Sequence, residues 1–233
     1  MKIGVIGAME EEVHLLRASL DNVKTEEIAN CEFTSGTYKG QEVVLLKSGI
    51  GKVNAAMSTT LLLQQFKPDV IINTGSAGGF DADLEVGAIV ISDEVRHHDV
   101  DVTAFGYEMG QVPQLPAAFL SSANLMDHAV KAVEELGEHA YAVGLIATGD
   151  SFMDDAERVE KVRGHFPTMK AAEMEAAAVA QVCHQFGTPF VVIRALSDIA
   201  GKQSNISFEE FLPVAAKHST QIVLNVVDRL AAQ

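Results

Sequence analysis

The 233-residue chain contains no tryptophan, only two cysteines and few aromatic residues. Aromatic residues make up 6% of it and hydrophobic residues 48%, so the core must consist mainly of Val, Ile, Leu and Ala. Such a core favours buried strands alternating with helices over a β-sandwich. Cys31 and Cys183 are too few for a disulfide framework, and we interpret both as reduced core residues.

Basic residues and long apolar runs are also scarce. The 17 Lys and Arg stand against 32 Asp and Glu, giving a net charge of −15, which argues against a nucleic-acid partner because phosphate binding depends on Lys and Arg. No apolar run approaches the ~20 residues that cross a bilayer, which argues against a membrane partner. Met1 leads directly into a predicted strand and leaves no room for a signal peptide. We therefore expect a soluble, cytoplasmic protein.

Short apolar runs bounded by turn residues predict strands, and these alternate with helical patterns along the chain. The alternation predicts an α/β fold, with a twisted, largely parallel sheet covered on both faces and ligands bound beyond the strand ends. No repeat, low-complexity tract or linker interrupts the pattern. We expect one domain over residues 1–233.

The segment Glu173-Met174-Glu175 is central to the prediction of function. An extended segment gives way at Ala171 to an alanine-rich helix that ends at Gly187, so both acids lie at a strand-to-helix junction. Acids there commonly complement the helix dipole. Two more isolated carboxylates, Glu12 and Asp198, follow other predicted strands, and this repetition favours a functional role.

Two segments could suggest a cofactor or a metal site, but their residues do not fit one. The turn after the first strand has Gly4 and Gly7 but lacks the third glycine of a dinucleotide fingerprint, and the acids at 10–12 would repel a phosphate. The spacing of His97-His98-Asp99 fits no standard metal site. We expect neither a cofactor nor a metal.

Two further segments point to binding. The glycine-rich residues 74–79 follow a predicted strand and would let backbone amides approach a ligand, although a tight turn without a ligand is the alternative. Residues 96–118 lack periodicity but carry apolar side chains, and loops this long are usually lids, binding loops or interfaces. We expect a partner subunit or a ligand to cover them.

The candidate site residues all fall just after predicted strands or at the following helix starts. They are Glu12, Ser76, Phe152, Glu175 and Asp198. Convergence on one cleft would join three carboxylates to an aromatic ring and glycine-rich backbone. Such a site suits hydrolysis through a cationic, sugar-like transition state: one acid protonates the leaving group, another activates water and a third holds hydroxyls.

These residues belong to longer motifs that resemble those of the bacterial 5′-methylthioadenosine/S-adenosylhomocysteine nucleosidases along the whole chain. The motifs are Gly4-x-x-Gly7-Ala8-Met9-Glu10-Glu11-Glu12, Lys47-Ser48-Gly49-Ile50-Gly51-Lys52, Asn73-Thr74-Gly75-Ser76-Ala77-Gly78-Gly79, Thr103-Ala104-Phe105-Gly106-Tyr107, Gly149-Asp150-Ser151-Phe152, Glu173-Met174-Glu175 and Arg194-Ala195-Leu196-Ser197-Asp198. Leu196 and Thr148 depart slightly from the family pattern. The resemblance implies a nucleoside-phosphorylase-like fold, with three αβα layers around a mixed, mostly parallel sheet, assembled as a homodimer.

The resemblance also implies an activity: hydrolysis of the N-glycosidic bond of methylthioadenosine and adenosylhomocysteine, and also of 5′-deoxyadenosine, as a step of methionine salvage. Asp198, supported by Ser197, would be the general acid at adenine N7 and must therefore hold a proton. Glu12 would activate water, and Glu175 would hold the ribose hydroxyls. Both would be ionised and favour the developing cation.

Binding roles follow from the same resemblance. Phe152 would stack on adenine, and the Met153 backbone would read its edge. Met174 would lie along the sugar with Arg194 nearby. The remaining pocket residues would be Met9, Ile50, Ser76, Ala77, Gly78 and Phe208, and the neighbouring subunit would add Val102, Phe105 and Pro113 over the 5′-alkylthio group.

Two other functions stay open on the sequence. One is a phosphorylase of the same fold, although phosphorylases of this kind carry an arginine before the glycine-rich loop, where this chain has Asn73-Thr74. The other is a nucleoside-binding module without turnover, although binding adenine needs no set of three acids.

Overall fold

A ten-stranded mixed sheet lies between two layers of helices in the computed structural model, which describes residues 1–137, 139–201 and 204–231, without the side chains of 204–207. The strands are β1 Lys2–Gly7, β2 Asp21–Ile28, β3 Cys31–Tyr38, β4 Gln41–Lys47, β5 Val70–Gly79, β6 Ile89–His97, β7 Phe119–Leu120, β8 Tyr141–Thr148, β9 Ala171–Glu173 and β10 Phe190–Ile199. The α-helices are α1 Glu10–Ala18, α2 Lys52–Leu61, α3 Ala123–Leu136, α4 Ala156–His165, α5 Ala176–Phe186 and α6 Ser204–Ala231. A π-helical turn, Leu62–Phe66, continues α2, and a 3₁₀ turn, Thr103–Phe105, lies between β6 and β7. The predicted α/β class with a mixed, layered sheet is confirmed.

The strand β5 is the branch point of the sheet. One of its edges pairs with β10 along most of its length. Its other edge pairs with β1 at residues 70–73 and with β9 at residues 78–79. Since β10, β6, β8 and β9 are paired in turn, these strands and β5 close into a ring. Within the described chain, residues 74–77 have no strand beside them on the second edge.

The strands alternate their side chains between two apolar clusters, as the period of two requires. In β1, Ile6 belongs to a cluster shared with α2 and α5. Ile3 and Val5 belong to the cluster on the other face, which includes residues of α1, α3 and α6. The predicted free, buried state of Cys31 and Cys183 is confirmed. No helix in the described ranges combines the length and apolarity that crossing a bilayer requires.

Local predictions hold best where apolar periodicity is strong. Residues 32–47 predict a hairpin, and the apolar periodicity after Ser122 predicts a helix that ends at Gly137; both are confirmed. The predicted helix start at Ala171 is wrong, because residues 171–173 form β9 between β8 and the end of β5. The sequence analysis missed β2, whose residues are nearly all exposed and polar or charged.

Candidate active site

A cavity of ≈ 360 Å³ opens where β1 and β9 separate from β5. The site residues suggested by the sequence that line it are Met9, Glu12, Ile50, Ser76, Ala77, Gly78, Phe152, Met174, Glu175, Ser197, Asp198 and Phe208. Ala8, Ala172, Glu173 and Glu209 also line it. The three carboxylates that the sequence analysis grouped therefore lie around one hollow.

Glu12 sits in the first turn of α1, and both of its carboxylate oxygens are held by donors. Oε2 accepts from the amides of Ala8 at 2.8 Å and Met9 at 3.3 Å. Oε1 accepts from the amide of Ser76 at 2.9 Å and from its hydroxyl at 3.0 Å. The side chain is 4% exposed. These contacts fix a hydrogen-bond acceptor at the cavity wall between α1 and β5.

Glu175 is the N-cap residue of α5, yet its side chain makes no capping hydrogen bond. Its Oε1 accepts instead from the amide of Gly51, at the start of α2, at 2.8 Å. Burial and then the charge of Glu173 raise the pKa of Glu175 to about 8, against the lowering effects of the Gly51 amide and Arg194. The raised pKa favours the protonated carboxyl group, whereas the sequence analysis expected an ionised one.

Asp198 lies in the irregular end of β10, beside Gly78 of β5. Its side chain is buried, and Oδ1 accepts from the Ser197 hydroxyl at 2.9 Å. A Cβ atom on Gly78 would stand only 3.1 Å from Oδ2 of Asp198. The glycine therefore leaves room for the carboxyl group to face the cavity.

The aromatic part of the site is formed by Phe152 and Phe208, whose ring centroids are 5.8 Å apart with planes at 75°. Phe152 is 37% exposed and presents a ring at the cavity mouth. The Met153 side chain packs into a separate apolar cluster, and its carbonyl accepts from the Gly201 amide at 3.0 Å. Met153 does not appear in the cavity lining of the described chain.

Glu173, which lines the cavity, forms a buried ion pair with Arg194 behind it, with 2.5 Å between Oε2 and Nη2. The same Nη2 donates to Oδ1 of Asn73 at 2.8 Å, and the Asn73 side-chain Nδ2 donates to the Ile6 carbonyl. Arg194, a predicted site residue, is outside the described cavity lining. Glu173 was not assigned a role from the sequence, although it belongs to the motif that the sequence analysis singled out.

The segment between β6 and β7 contributes no residue to the cavity lining of the described chain. It carries Val102, Phe105 and Pro113, and none of the three lines the cavity of the described chain. Phe105 is 81% exposed. The predicted contribution of these residues requires a second subunit.

The histidine pair of this segment has local partners. His97 Nε2 lies 3.0 Å from Oε1 of Gln181, and burial lowers the pKa of both His97 and His98. Asp99 pairs with Lys52 at 2.6 Å. Within the described residues, no group of three or more His, Cys, Asp or Glu is arranged to hold a metal ion.

Comparison with known proteins gives consistent matches over nearly the whole chain. A sequence model described as phosphorylase superfamily matches residues 2–228. The 5′-methylthioadenosine/S-adenosylhomocysteine nucleosidase of Lysinibacillus sphaericus is 73% identical over 230 residues, covering 99% of this chain and 100% of that protein.

Solved structures agree with the sequence matches. The nucleosidase of the same name from Neisseria meningitidis, in complex with methylthio-immucillin-A, matches with a TM-score of 0.96 and 50% identity, covering 98% of this chain and 99% of that one. The nucleosidase from Colwellia psychrerythraea, in complex with adenine, also has a TM-score of 0.96, with 55% identity and coverage of 99% and 96%.

Proposed function

The chain belongs to the phosphorylase superfamily and, within it, to the 5′-methylthioadenosine/S-adenosylhomocysteine nucleosidases, and from this we propose that it hydrolyses the N-glycosidic bond of those two nucleosides. The products are adenine and the 5′-thio-substituted ribose. 5′-Deoxyadenosine is proposed as a third substrate, and methionine salvage as the process served. The observation that carries the proposal is the meeting of Glu12, Glu175 and Asp198 at one cavity.

The proposed reaction begins with protonation of the leaving group. Asp198 donates its proton to adenine N7 as the bond between N9 and the ribose C1′ breaks, because adenine leaves poorly as an anion. Burial of Asp198 supports this assignment, since burial favours the protonated form of a carboxyl group. Ser197, which donates to Oδ1, holds the carboxyl group in orientation.

Glu12 is the proposed base for the attacking water. Its hydrogen bonds to Ala8, Met9 and Ser76 leave it little freedom to rotate, so a water molecule placed against it would be oriented towards C1′. Glu12 takes the proton of this water as its oxygen bonds to C1′. General acid–base steps of this kind contribute about 10²–10⁴-fold each.

Glu175 is the proposed ligand of the ribose hydroxyls, with Met174 beside it in the cavity wall. Burial and the charge of Glu173 raise its pKa, which favours the protonated carboxyl group. A protonated carboxyl group can donate one hydrogen bond to a ribose hydroxyl and accept another.

Water, rather than phosphate, is the proposed nucleophile. The amides of Ala8 and Met9 at the start of α1, which could have received an anion, already bind the carboxylate of Glu12. Arg194 Nη2 is engaged by Glu173 and Asn73. The carboxylate of Glu12, the proposed base, would also repel a phosphate.

We further propose a single-domain, cytoplasmic protein that works as a homodimer. Phe105 is a large apolar side chain with 81% exposure, which a second subunit would cover. In that dimer Val102, Phe105 and Pro113 of one subunit would close the 5′ end of the other subunit's cavity.

An adenine-release assay tests the function directly. The purified chain should release adenine from methylthioadenosine, adenosylhomocysteine and 5′-deoxyadenosine at rates that do not depend on phosphate. Strict dependence on phosphate, with formation of a ribose 1-phosphate, would identify a phosphorylase instead. Binding of methylthioadenosine without any release of adenine would identify a binding module.

A further inference from the structure

Glu173 has the densest set of hydrogen bonds at the cavity wall, and the proposed reaction gives it no task. Oε1 accepts from the hydroxyl of Thr148 and from the amide of Ala176 at 3.0 Å. Oε2 accepts from the amides of Glu175 at 3.0 Å and Ala176 at 2.8 Å, and from Arg194 at 2.5 Å. With 7% exposure, it is a buried charge whose acceptor sites are filled.

Three of these hydrogen bonds, from the amides of Glu175 and Ala176, replace the ordinary cap of α5. A helix begins with amides that lack partners, and the side chain of the N-cap residue normally accepts from them. Here Glu173, two residues before the N-cap Glu175, accepts from the first amides. Thr148 Oγ1 accepts from the next one, that of Ala177, at 2.8 Å. The Glu175 side chain is therefore left to reach across to Gly51 and the cavity.

The ion pair of Glu173 with Arg194 determines the electrostatic environment of Glu175. The charged groups that act on it are Glu173 on β9, Arg194 on β10 and Glu12 on α1, while α2 contributes the Gly51 amide. The Arg194 side chain is buried, with 1% exposure. Without the carboxylate of Glu173 beside it, its positive charge would favour the ionised form of Glu175. Because Glu173 binds its Nη2, the positive charge is neutralised behind the cavity wall.

We propose, building on the function above, that Glu173 is a positioning residue of the reaction. It caps α5 in place of Glu175 and neutralises Arg194, so that the carboxyl group of Glu175 faces the cavity to bind the ribose.

The Glu173→Gln variant of the full-length protein tests whether the reaction needs the negative charge of Glu173. The amide cannot neutralise Arg194, so the pH midpoint of Glu175 should fall by about one unit or more. Carbon-13 NMR of glutamate carboxyl groups measures this midpoint, and the Glu175 signal is assigned by its loss in Glu175→Gln. We expect kcat/KM for methylthioadenosine to fall on the order of 100-fold, as for a misplaced reacting group.

The Glu173→Asp variant tests whether the position of the carboxylate matters, because it keeps the charge but shortens the side chain by one methylene. The midpoint of Glu175 should stay close to that of the wild type, while kcat/KM falls because the amides of α5 and Arg194 are no longer held together. The matched control is Glu160→Gln, which makes the same change in the exposed pair of Glu160 and Arg163 on α4. This control should leave the pH midpoint of Glu175 and kcat/KM unchanged.

A purely structural role for Glu173 would lower the melting temperature but leave the midpoint and the kcat/KM of the folded protein unchanged, and that result would overturn the proposal. If Glu173→Gln does not fold, wild-type kcat/KM in Glu173→Asp would overturn it as well. The NMR titration needs no turnover, so a wild type that releases no adenine would refute the proposed function separately. An unchanged Glu175 midpoint in Glu173→Gln would then refute the charge role on its own.

Discussion

The backbone amide of Ser76 donates a hydrogen bond of 2.9 Å to Oε1 of Glu12. The contact depends on the sheet, since residues 74–77 of β5 lie between the pairings with β1 and β9 and have a free edge there. It also depends on Gly75, which has φ 151° and whose missing Cβ would stand 2.7 Å from that oxygen. The cavity thus exists because one strand edge is divided between two partners.

Gly75→Ala should displace the Glu12 carboxylate and lower kcat/KM for adenine release on the order of 100-fold, because small displacements of a reacting group are costly. Gly164→Ala is the control, since nothing lies within 4 Å of the Cβ it would add. It should keep full activity. Equal activity in the two variants would mean that the position of Glu12 does not limit the reaction.

Glu12→Gln and Asp198→Asn should each reduce adenine release by at least about 100-fold, because each removes a general acid or base. Both variants should still bind methylthioadenosine, since neither change alters the shape of the cavity. Isothermal titration with substrate, beside the rate assay, separates the two effects. Near-normal rates in either variant would show that its role is misassigned.

The raised pKa of Glu175 makes stability depend on pH. Unfolding returns the group to an ordinary pKa of 4.5 from about 8, so the folded state holds the extra proton between these values. Its contribution is complete below pH 4.5 and is lost as the pH rises through about 8. The melting temperature of the wild type, measured relative to that of Glu175→Gln, should therefore fall as the pH rises from 5 to 9. Parallel curves for the two proteins would contradict the raised pKa.

Phe105→Ala should weaken the use of methylthioadenosine more than that of adenosine, because only the former carries the apolar 5′ group that a partner subunit would cover. The ratio of the two kcat/KM values measures the effect, and sedimentation of the variant shows whether it still dimerises. Equal losses for both substrates in a protein that remains dimeric would place Phe105 outside the 5′ pocket.

Asp150 caps α2 from another part of the chain. The N-cap residue Gly51 has no side chain, and the Lys52 amide donates to Asp150 Oδ1 at 2.8 Å. Asp150→Ala should cost about 1 kcal/mol of unfolding free energy, measured in urea, and should raise KM because the Gly51 amide is no longer held against Glu175. The control Asp127→Ala breaks an exposed pair within α3 and should leave the free energy of unfolding nearly unchanged, because solvent screens such pairs.

Sequence reasoning succeeds here where the signal is local. The buried strand β10 and the acid near its end can be predicted, because a dense apolar run and its end are visible in the chain. The strand β2 has no such pattern, since its partner β3 and not an apolar face defines it. The shared edge of β5, the hydrogen bond from Gly51 to Glu175 and the ion pair of Glu173 with Arg194 all join residues that are far apart in the chain. No spacing along the chain encodes them.

The ring also limits how this protein can change. β5 has β10 along one edge and β1 and β9 along the other, so it cannot slide past any of them. Adding or deleting one residue between Val70 and Ser76 would invert the facing of every later side chain in β5 and would displace Ser76 from Glu12 and Gly78 from Asp198. Substituting one side chain in β5 leaves this register intact. The number of residues in the strand is therefore as necessary for the arrangement of the site as the acids themselves.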